Sequence, residues 1–225
     1  MNVCQSGKSL CAGLALLAIP FLCPHAHAFD SATEYAYGTI PVRTKPGFHA
    51  VERLGITLGG DEIAKITYPD GAIREINAGS LKQIGLGVLY QWDSLPVAAA
   101  LTINYQYTSD YNENDNASFR RVPLEVLAYF NATQRFRIGA GMRYVYSARA
   151  TSNINGVSER IDFEDTRGSV VEIGYQVAPY GWLSLRRVHE TYKVERYSTT
   201  GTTPAPSGNA PYDGSHYGLF IGYKY

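Results

Sequence analysis

Cysteine is scarce in this sequence of 225 residues, and it is confined to the first 23 positions. The three cysteines are Cys4, Cys11 and Cys23, and all of them precede the cleavage site that the N-terminal sequence predicts. We therefore expect the mature chain to contain no disulfide and to perform no thiol chemistry.

Long apolar runs and an excess of either charge are also missing. After Ala28, no run approaches the ~20 apolar residues that a membrane-spanning helix needs. Lys and Arg number 20, and Asp and Glu number 20; without a basic stripe, nucleic acid is not an expected partner. We expect no cofactor and no metal.

The N-terminal 28 residues have the pattern of a secretory signal peptide. Lys8 provides the positive n-region, Leu10 to Leu22 form the apolar h-region, and Ala26 and Ala28 form an A-x-A cleavage site. We expect three parts: a signal peptide (1–28), a periplasmic N-terminal segment (29–49) and a β-barrel domain (50–225).

The last nine residues have the pattern of a strand with two unlike faces. Tyr217, Leu219, Ile221, Tyr223 and Tyr225 alternate with a set that includes two glycines and a lysine. A strand of a transmembrane β-barrel has this pattern, because one face meets lipid and the other faces the lumen.

Seven earlier segments alternate in the same way and predict further strands. The eight predicted strands are Val51–Ile63, Lys82–Trp92, Val97–Thr108, Phe119–Phe130, Arg135–Ser147, Ser169–Val177, Trp182–Val194 and Tyr217–Tyr225. Their connections alternate between three tight turns and four long loops, as in bacterial outer-membrane barrels. An even strand number is required when both termini lie on the short-turn side, and eight satisfies this.

Aromatic residues collect near the ends of these strands. Tyrosine is abundant, at 18 residues against 8 Phe and 2 Trp, and its apolar ring with a polar tip suits a membrane interface. The predicted belts consist of Trp92 and Trp182 beside short turns, and of Tyr105, Tyr107, Tyr144 and Tyr146 near long loops. The uncharged face is apolar and the charged face is rich in glycine, which is the reverse of a soluble barrel.

The architecture and the terminal strand together resemble the small outer-membrane β-barrels of Gram-negative bacteria, such as the OmpX, OmpW and OmpA-transmembrane types. The resemblance covers the chain from about Val51. It implies an all-β, eight-stranded, antiparallel, up-and-down transmembrane barrel in the outer membrane, with short periplasmic turns and long extracellular loops. We expect a monomer in contact with outer-membrane lipid.

The resemblance also implies partners during biogenesis. In that family, a C-terminal aromatic strand is read by the barrel-assembly machinery, and periplasmic chaperones accompany the unfolded chain. This role is carried here to Ile221, Tyr223 and Tyr225.

Charged residues fall on the predicted lumen face of most strands, and they allow two interpretations. They could form a selectivity filter or gate, or a structural network of ion pairs, because an eight-stranded barrel is just wide enough for side chains to fill it. Inward glycines would leave pockets and so favour a channel. The predicted lumen charges are Arg53, Arg121, Glu125, Arg137, Arg143, Glu172, Arg186 and Lys224. Counting from the turn at Pro179–Gly181 places Arg186 beside Gly174 and diagonal to Glu172.

The seventh predicted strand breaks the pattern. With Leu183 and Leu185 facing lipid, strict alternation also directs Arg187, His189 and Lys193 to lipid, and an arginine there costs ~2–4 kcal/mol at the midplane. We expect a β-bulge near Arg186–Arg187 that returns Val188 to the lipid face. A lateral opening for a hydrophobic substrate is the alternative.

A hydrolase site has little support in the sequence. His189 and Thr191 resemble a lipid A deacylase pattern in which a serine stands two residues after the histidine, but the serine is replaced by threonine. No nucleophile, base and orienting group can be assembled. The expected function is therefore a non-enzymatic structural or surface-interaction role through the extracellular loops. A narrow OmpW-like channel and a lipid A-modifying enzyme are the alternatives.

Overall fold

Eight strands form a closed antiparallel barrel in which every strand pairs with two others. The computed structural model describes residues 45–67, 73–111, 115–202 and 211–225. The barrel strands are β1 (Gly47–Gly59), β4 (Lys82–Gln91), β5 (Val97–Tyr111), β6 (Asn116–Asn131), β7 (Phe136–Ile154), β9 (Thr166–Gln176), β10 (Gly181–Tyr192) and β13 (His216–Lys224). None of the described residues belongs to a helix that is long and apolar enough to cross a membrane.

Five further strands lie in the long connections, all at one end of the barrel, which we call the long-loop end. They are β2 (Glu62–Thr67), β3 (Ile73–Asn77), β8 (Val157–Phe163), β11 (Val194–Thr199) and β12 (Tyr212–Asp213). β2 and β3 form a hairpin, and β8 joins the upper part of β7 to β11. We call these five strands, with the upper part of β7, the platform. The opposite end carries the tight turns and is called the short-turn end.

Strand alternation divides the barrel wall into an apolar outside and a polar inside. On β5, Leu101, Ile103 and Tyr105 point outward and are exposed, while Thr102 and Asn104 point inward and are buried. This two-residue period is the sequence pattern that predicted the strands, and the predicted all-β, eight-stranded antiparallel barrel is confirmed.

The barrel closes between its first and last strands. β1 pairs with β13 from Val51↔Lys224 to Gly59↔His216 without a break in register. Beyond the ladder, the Tyr225 amide donates to Ala50 O at 2.9 Å. The predicted signal peptide lies outside the described residues, and β1 begins at Gly47, inside the predicted segment 29–49.

Most predicted strand bounds differ from the structure by a few residues, and two of the differences have clear local reasons. The first predicted strand ends early, because Gly59 and Gly60 take φ values of 130° and 77° and turn the chain before Glu62 begins β2. The fifth continues to Ile154, past an irregularity in the β6–β7 register where Ser147 has a φ of 51°.

The predicted bulge at Arg186–Arg187 was wrong. β10 pairs in unbroken register with β9 from Trp182 to Glu190 and with β13 up to Val188. Val188 points inward and is fully buried. Arg187 keeps its outward position, where its guanidinium lies 5.6 Å from the ring centre of Tyr217. An arginine near a strand end can hold its charged tip at the interface, so the bulge is unnecessary.

Candidate functional site

The inside of the barrel contains a network of buried ion pairs centred on Glu172. Arg186 donates to its carboxylate at 2.6 Å, and Arg53 and Arg137 each approach it at 3.2 Å. Arg186 also reaches Glu125 at 2.7 Å. Each carboxylate is therefore held by arginines from other strands, and these contacts tie the wall together across the lumen.

A second network lies closer to the long-loop end and is centred on Glu190. Its two carboxylate oxygens lie 2.6 Å from Arg121 Nη1 and 3.2 Å from Arg143 Nε. Gln106 Oε1 accepts hydrogen bonds from both arginines. The imidazole of His216 packs against the same arginines, at 3.5 Å from Arg121 and 3.4 Å from Arg143.

Aromatic rings compensate the surplus of positive charge. Among the described residues, five buried arginines face three buried glutamates inside the barrel. Arg137 lies 4.3 Å from the ring centre of Tyr129 and 4.1 Å from that of Trp182. Arg186 lies 4.7 Å from the ring centre of Phe220. Cation–π contacts of this kind gain strength when the groups are desolvated.

Several inward glycines make room for large neighbouring side chains. A Cβ built on Gly55 would lie 2.2 Å from the Phe220 ring, and one on Gly139 would lie 2.5 Å from the Tyr129 ring. Such distances mean that the large rings occupy the space of the missing side chains. At Gly55 and Gly139 the expected pockets are therefore occupied by rings.

An apolar lid covers the Glu190 network on its long-loop side. Phe119, Phe163, Tyr192 and Tyr212 form a chain of edge-to-face rings with centre separations of 5.7–6.1 Å. The first three belong to a buried cluster that also includes Ile161 of the platform, and the partly buried Tyr212 packs against this cluster. The Tyr192 hydroxyl accepts from Arg121, so the lid and the ion-pair network are continuous.

At the short-turn end, a cavity of ~450 Å³ opens on the short-turn side of the Glu172 network. Its lining includes Gln91, Trp92, Asn131 and Trp182. Arg137 covers one face of Trp182, and the Lys224 ammonium lies 5.5 Å from the same ring. This cavity is a vestibule in front of the filled lumen.

The structure places all eight predicted lumen charges on the inner face, where they are buried: Arg53, Arg121, Glu125, Arg137, Arg143, Glu172, Arg186 and Lys224. The predicted register of Arg186 was wrong by two residues, because Arg186 lies directly opposite Glu172 and Ser184 lies opposite Gly174. The expected contact between Arg186 and Glu172 nevertheless forms.

The predicted aromatic belts are outward-facing with one exception. Trp92 packs edge-on against Tyr90 on the outer face, and Tyr105, Tyr107, Tyr144 and Tyr146 form two outward ring pairs. Trp182 was assigned wrongly. It shares the inward parity of Ser184 and Arg186 and is 6% exposed, because it stacks with Arg137 inside the barrel.

The assembly residues Ile221, Tyr223 and Tyr225 are all exposed on or beside β13. The Tyr225 hydroxyl donates to Glu52 at 2.7 Å across the seam. Their outward position leaves them accessible, and their proposed recognition during assembly stays a prediction.

Glu190 and His216 were missing from the predicted network. Glu190 was misplaced by the assumed bulge, since unbroken alternation from Ser184 would have directed it inward. His216 precedes the clear alternation of the terminal strand, and only the register against β1 reveals its position. No group of three or more His, Cys, Asp or Glu in the described part of the chain is arranged to hold a metal ion.

Comparison with solved structures shows where this fold recurs. Ail, the attachment invasion locus protein of Yersinia pestis, superimposes with a TM-score of 0.52 at 9% identity, over 80% of this chain and 100% of Ail. Neisserial surface protein A matches with a TM-score of 0.46 at 12% identity, over 80% of this chain and 97% of its own. OprG from Pseudomonas aeruginosa matches with a TM-score of 0.46 at 15% identity, over 80% of this chain and 97% of OprG. No family model and no curated protein sequence matches the chain.

The chain therefore has the fold of the small eight-stranded outer-membrane β-barrels of bacteria. At these identities the likeness concerns the fold alone.

Proposed function

We propose that this protein is a closed outer-membrane barrel of a Gram-negative bacterium whose interactions are made by the platform at its long-loop end. The observation that carries this proposal is the filling of the lumen by paired charges, capped by the apolar lid. A barrel whose interior is filled has its remaining accessible surfaces in the platform, the vestibule and the outer wall.

The outer wall supports the membrane location. Leu54, Ile56, Leu86 and Leu219 are about half exposed, which would be costly in water for so many neighbouring apolar side chains. Rings at both ends of the strands are suited to the two interfaces of a bilayer. The fold shared with Ail supports the same location.

The platform supports a role in surface interaction. Within the described residues, β11 pairs with β8 alone and forms the end of the sheet order, and a strand in this position is a candidate for strand addition. The hairpin of β2 and β3 exposes Ile73, and β5 ends at the exposed Tyr111. Ail, which has this fold, is named an attachment invasion locus protein, and the fold is thus compatible with contacts outside the cell.

The platform is also ordered by its own interactions. Asp162 accepts hydrogen bonds from Arg149 and from Arg160, the latter at 3.0 Å. Partial burial raises the pKa of Asp162, but these two guanidinium groups outweigh burial and hold the pKa below its usual value. An ordered platform binds a partner with a smaller entropic cost than a flexible loop does.

The two alternatives predict different measurements. A narrow channel would let small sugars swell liposomes that contain the protein, whereas the closed lumen predicts no swelling above that of protein-free liposomes. A lipid A-modifying enzyme would change the acyl pattern of lipid A in mass spectra of cells that carry the protein, and an unchanged pattern is expected.

Cysteine labelling tests the location and the orientation. The predicted mature chain has no cysteine, so single substitutions give clean labels: Glu75→Cys on the platform and Gln134→Cys in a short turn, both at exposed positions. A membrane-impermeant maleimide should label Glu75→Cys on intact cells and Gln134→Cys only after the outer membrane is permeabilised. Labelling of Gln134→Cys alone on intact cells would indicate the opposite orientation. Equal labelling of both variants would contradict the membrane location.

A further inference from the structure

A compact polar patch interrupts the apolar outer wall below the platform. Arg167 and Ser169 on β9, with Arg187 and His189 on β10, all point outward and are exposed. His189 lies directly opposite Ser169, and Arg187 lies opposite Val171. Each arginine is thus a diagonal neighbour of the other strand's polar residue, a spacing of ~7–8 Å that long side chains bridge.

Tyrosines flank this patch on both sides. Arg167 lies opposite Tyr144 on β7, and its guanidinium is 5.8 Å from that ring centre. Arg187 lies opposite Tyr217 on β13, at 5.6 Å from that ring centre. Tyr144 and Tyr217 belong to the aromatic side chains of the long-loop half, so the patch lies at the level of an interface.

Among the described residues, the two arginines of the patch have no carboxylate partner. Within the described residues, no Asp or Glu oxygen lies within 4 Å of Arg167 or Arg187. Every buried arginine of the lumen, in contrast, has such a contact. A charge on a lipid-facing wall is costly unless it is compensated. Among the described residues these two charges lie against tyrosine rings, and an anionic headgroup would supply a counter-charge.

The same strands are apolar below the patch. Their outward residues there are Val171, Ile173 and Tyr175 on β9 and Leu183 and Leu185 on β10. The acyl chains of a lipid along this wall would contact the apolar side chains. Its headgroup would lie at the level of the two guanidinium groups.

We propose that Arg167 and Arg187 bind the phosphate groups of a phosphorylated lipid in the leaflet around the long-loop end, with Ser169 and His189 as neighbouring hydrogen-bonding groups. Planar guanidinium groups match phosphate oxygens in pairs. The Nδ1 atom of His189 lies 2.9 Å from Ser215 Oγ, which holds the ring at the edge of the patch. This inference rests on the proposed membrane location of the barrel.

Lipid binding can be measured on purified protein in a phosphate-free neutral detergent. The probes are diphosphorylated lipid A, the same lipid with its phosphates removed, and inorganic phosphate, each titrated and counted by native mass spectrometry. The wild-type protein should bind the diphosphorylated lipid at least about tenfold more tightly than the dephosphorylated lipid, since hydrogen bonds to charged groups are the stronger ones.

The double variant Arg167→Gln/Arg187→Gln should lose this preference. Arg135→Gln is the matched control, because it removes a positive charge from an exposed short-turn position and should keep the preference. Unboiled and boiled samples of each variant are compared in detergent gels. A difference in migration, in either direction, confirms that the variant is folded.

Three outcomes would overturn the proposal. The first is equal affinity for the two lipids, and the second is an unchanged preference in the double variant. The third is saturable binding of inorganic phosphate with the same affinity as the diphosphorylated lipid, which would indicate a site for a soluble anion. The labelling experiment on cells tests the membrane location separately, so a failure of the location and a failure of this site give different results.

Discussion

Removal of the charge on Glu172 should destabilise the barrel more than any exposed Glu→Gln substitution does. The side chain is buried and neutralises three arginines, at 2.6 Å from Arg186 and 3.2 Å from Arg53 and Arg137. Glu172→Gln preserves the size of the side chain but leaves these cations with less negative charge. Breaking a buried ion pair costs about 3–5 kcal/mol, because the remaining charge stays desolvated.

The free energy of unfolding can be measured by denaturant titration in lipid vesicles, with tryptophan fluorescence as the signal. Glu75→Gln is the control, because Glu75 forms an exposed ion pair with Lys65 at 3.5 Å and such pairs contribute about 0–1 kcal/mol. The double variant Glu172→Gln/Arg186→Gln should lose less than the sum of its single variants, since the two groups are coupled. A difference of less than about 1 kcal/mol between Glu172→Gln and Glu75→Gln would show that the buried carboxylate contributes no more than an exposed one.

Three further predictions concern the seam, the inner wall and the platform. Removal of Tyr225 should lower the amount of protein in the outer membrane more than any loop deletion does, which fractionation and immunoblotting would show; normal amounts would count against the assembly role. Gly55→Ala should destabilise the barrel by about 1–3 kcal/mol in the same unfolding assay, since its Cβ would collide with Phe220, and Phe220→Leu should recover part of the loss. Because the pKa of Asp162 is lowered in the folded state, its stabilisation is complete above the unfolded value near 3.8 and is lost as the pH falls through the lowered pKa. Hydrogen exchange in β8 should accelerate over that acidic range, and Asp162→Asn should remove this pH dependence; the same acceleration in the variant would assign it to another group.

The barrel was predictable because its strands follow a two-residue period. On β5 the alternation continues through ten residues and more, and a single register slip would exchange the two faces. The inward charges followed from the same parity. The seam between β1 and β13 followed from the even strand number and from the alternation at the end of the sequence.

Packing inside the lumen was not predictable from alternation. Parity shows that Phe220 and Gly55 point inward, but only the cross-strand register shows that the ring fills the space above the glycine. The error at Arg187 had a related cause. The cost that predicted a bulge applies to an outward arginine at the membrane midplane, whereas Tyr217 beside Arg187 marks an interface.

The platform strands were missed because they are short and their faces are mixed. β8 and β11 alternate weakly, and their apolar residues pack onto a lid that no single segment encodes. Phe163 contacts Phe119 and Tyr192 from distant parts of the sequence. Such long-range packing leaves little local signal.

Single-channel recording in planar bilayers tests the central claim that the lumen is closed. Purified protein inserted into the bilayer, with an open porin as the positive control, should give no resolved conductance steps, because Glu172 and Glu190 hold the arginines across the lumen and the rings cover them. Insertion is verified in the same membranes by protease protection of the barrel. Stable and reproducible conductance steps from verified insertions would contradict the account and favour a channel.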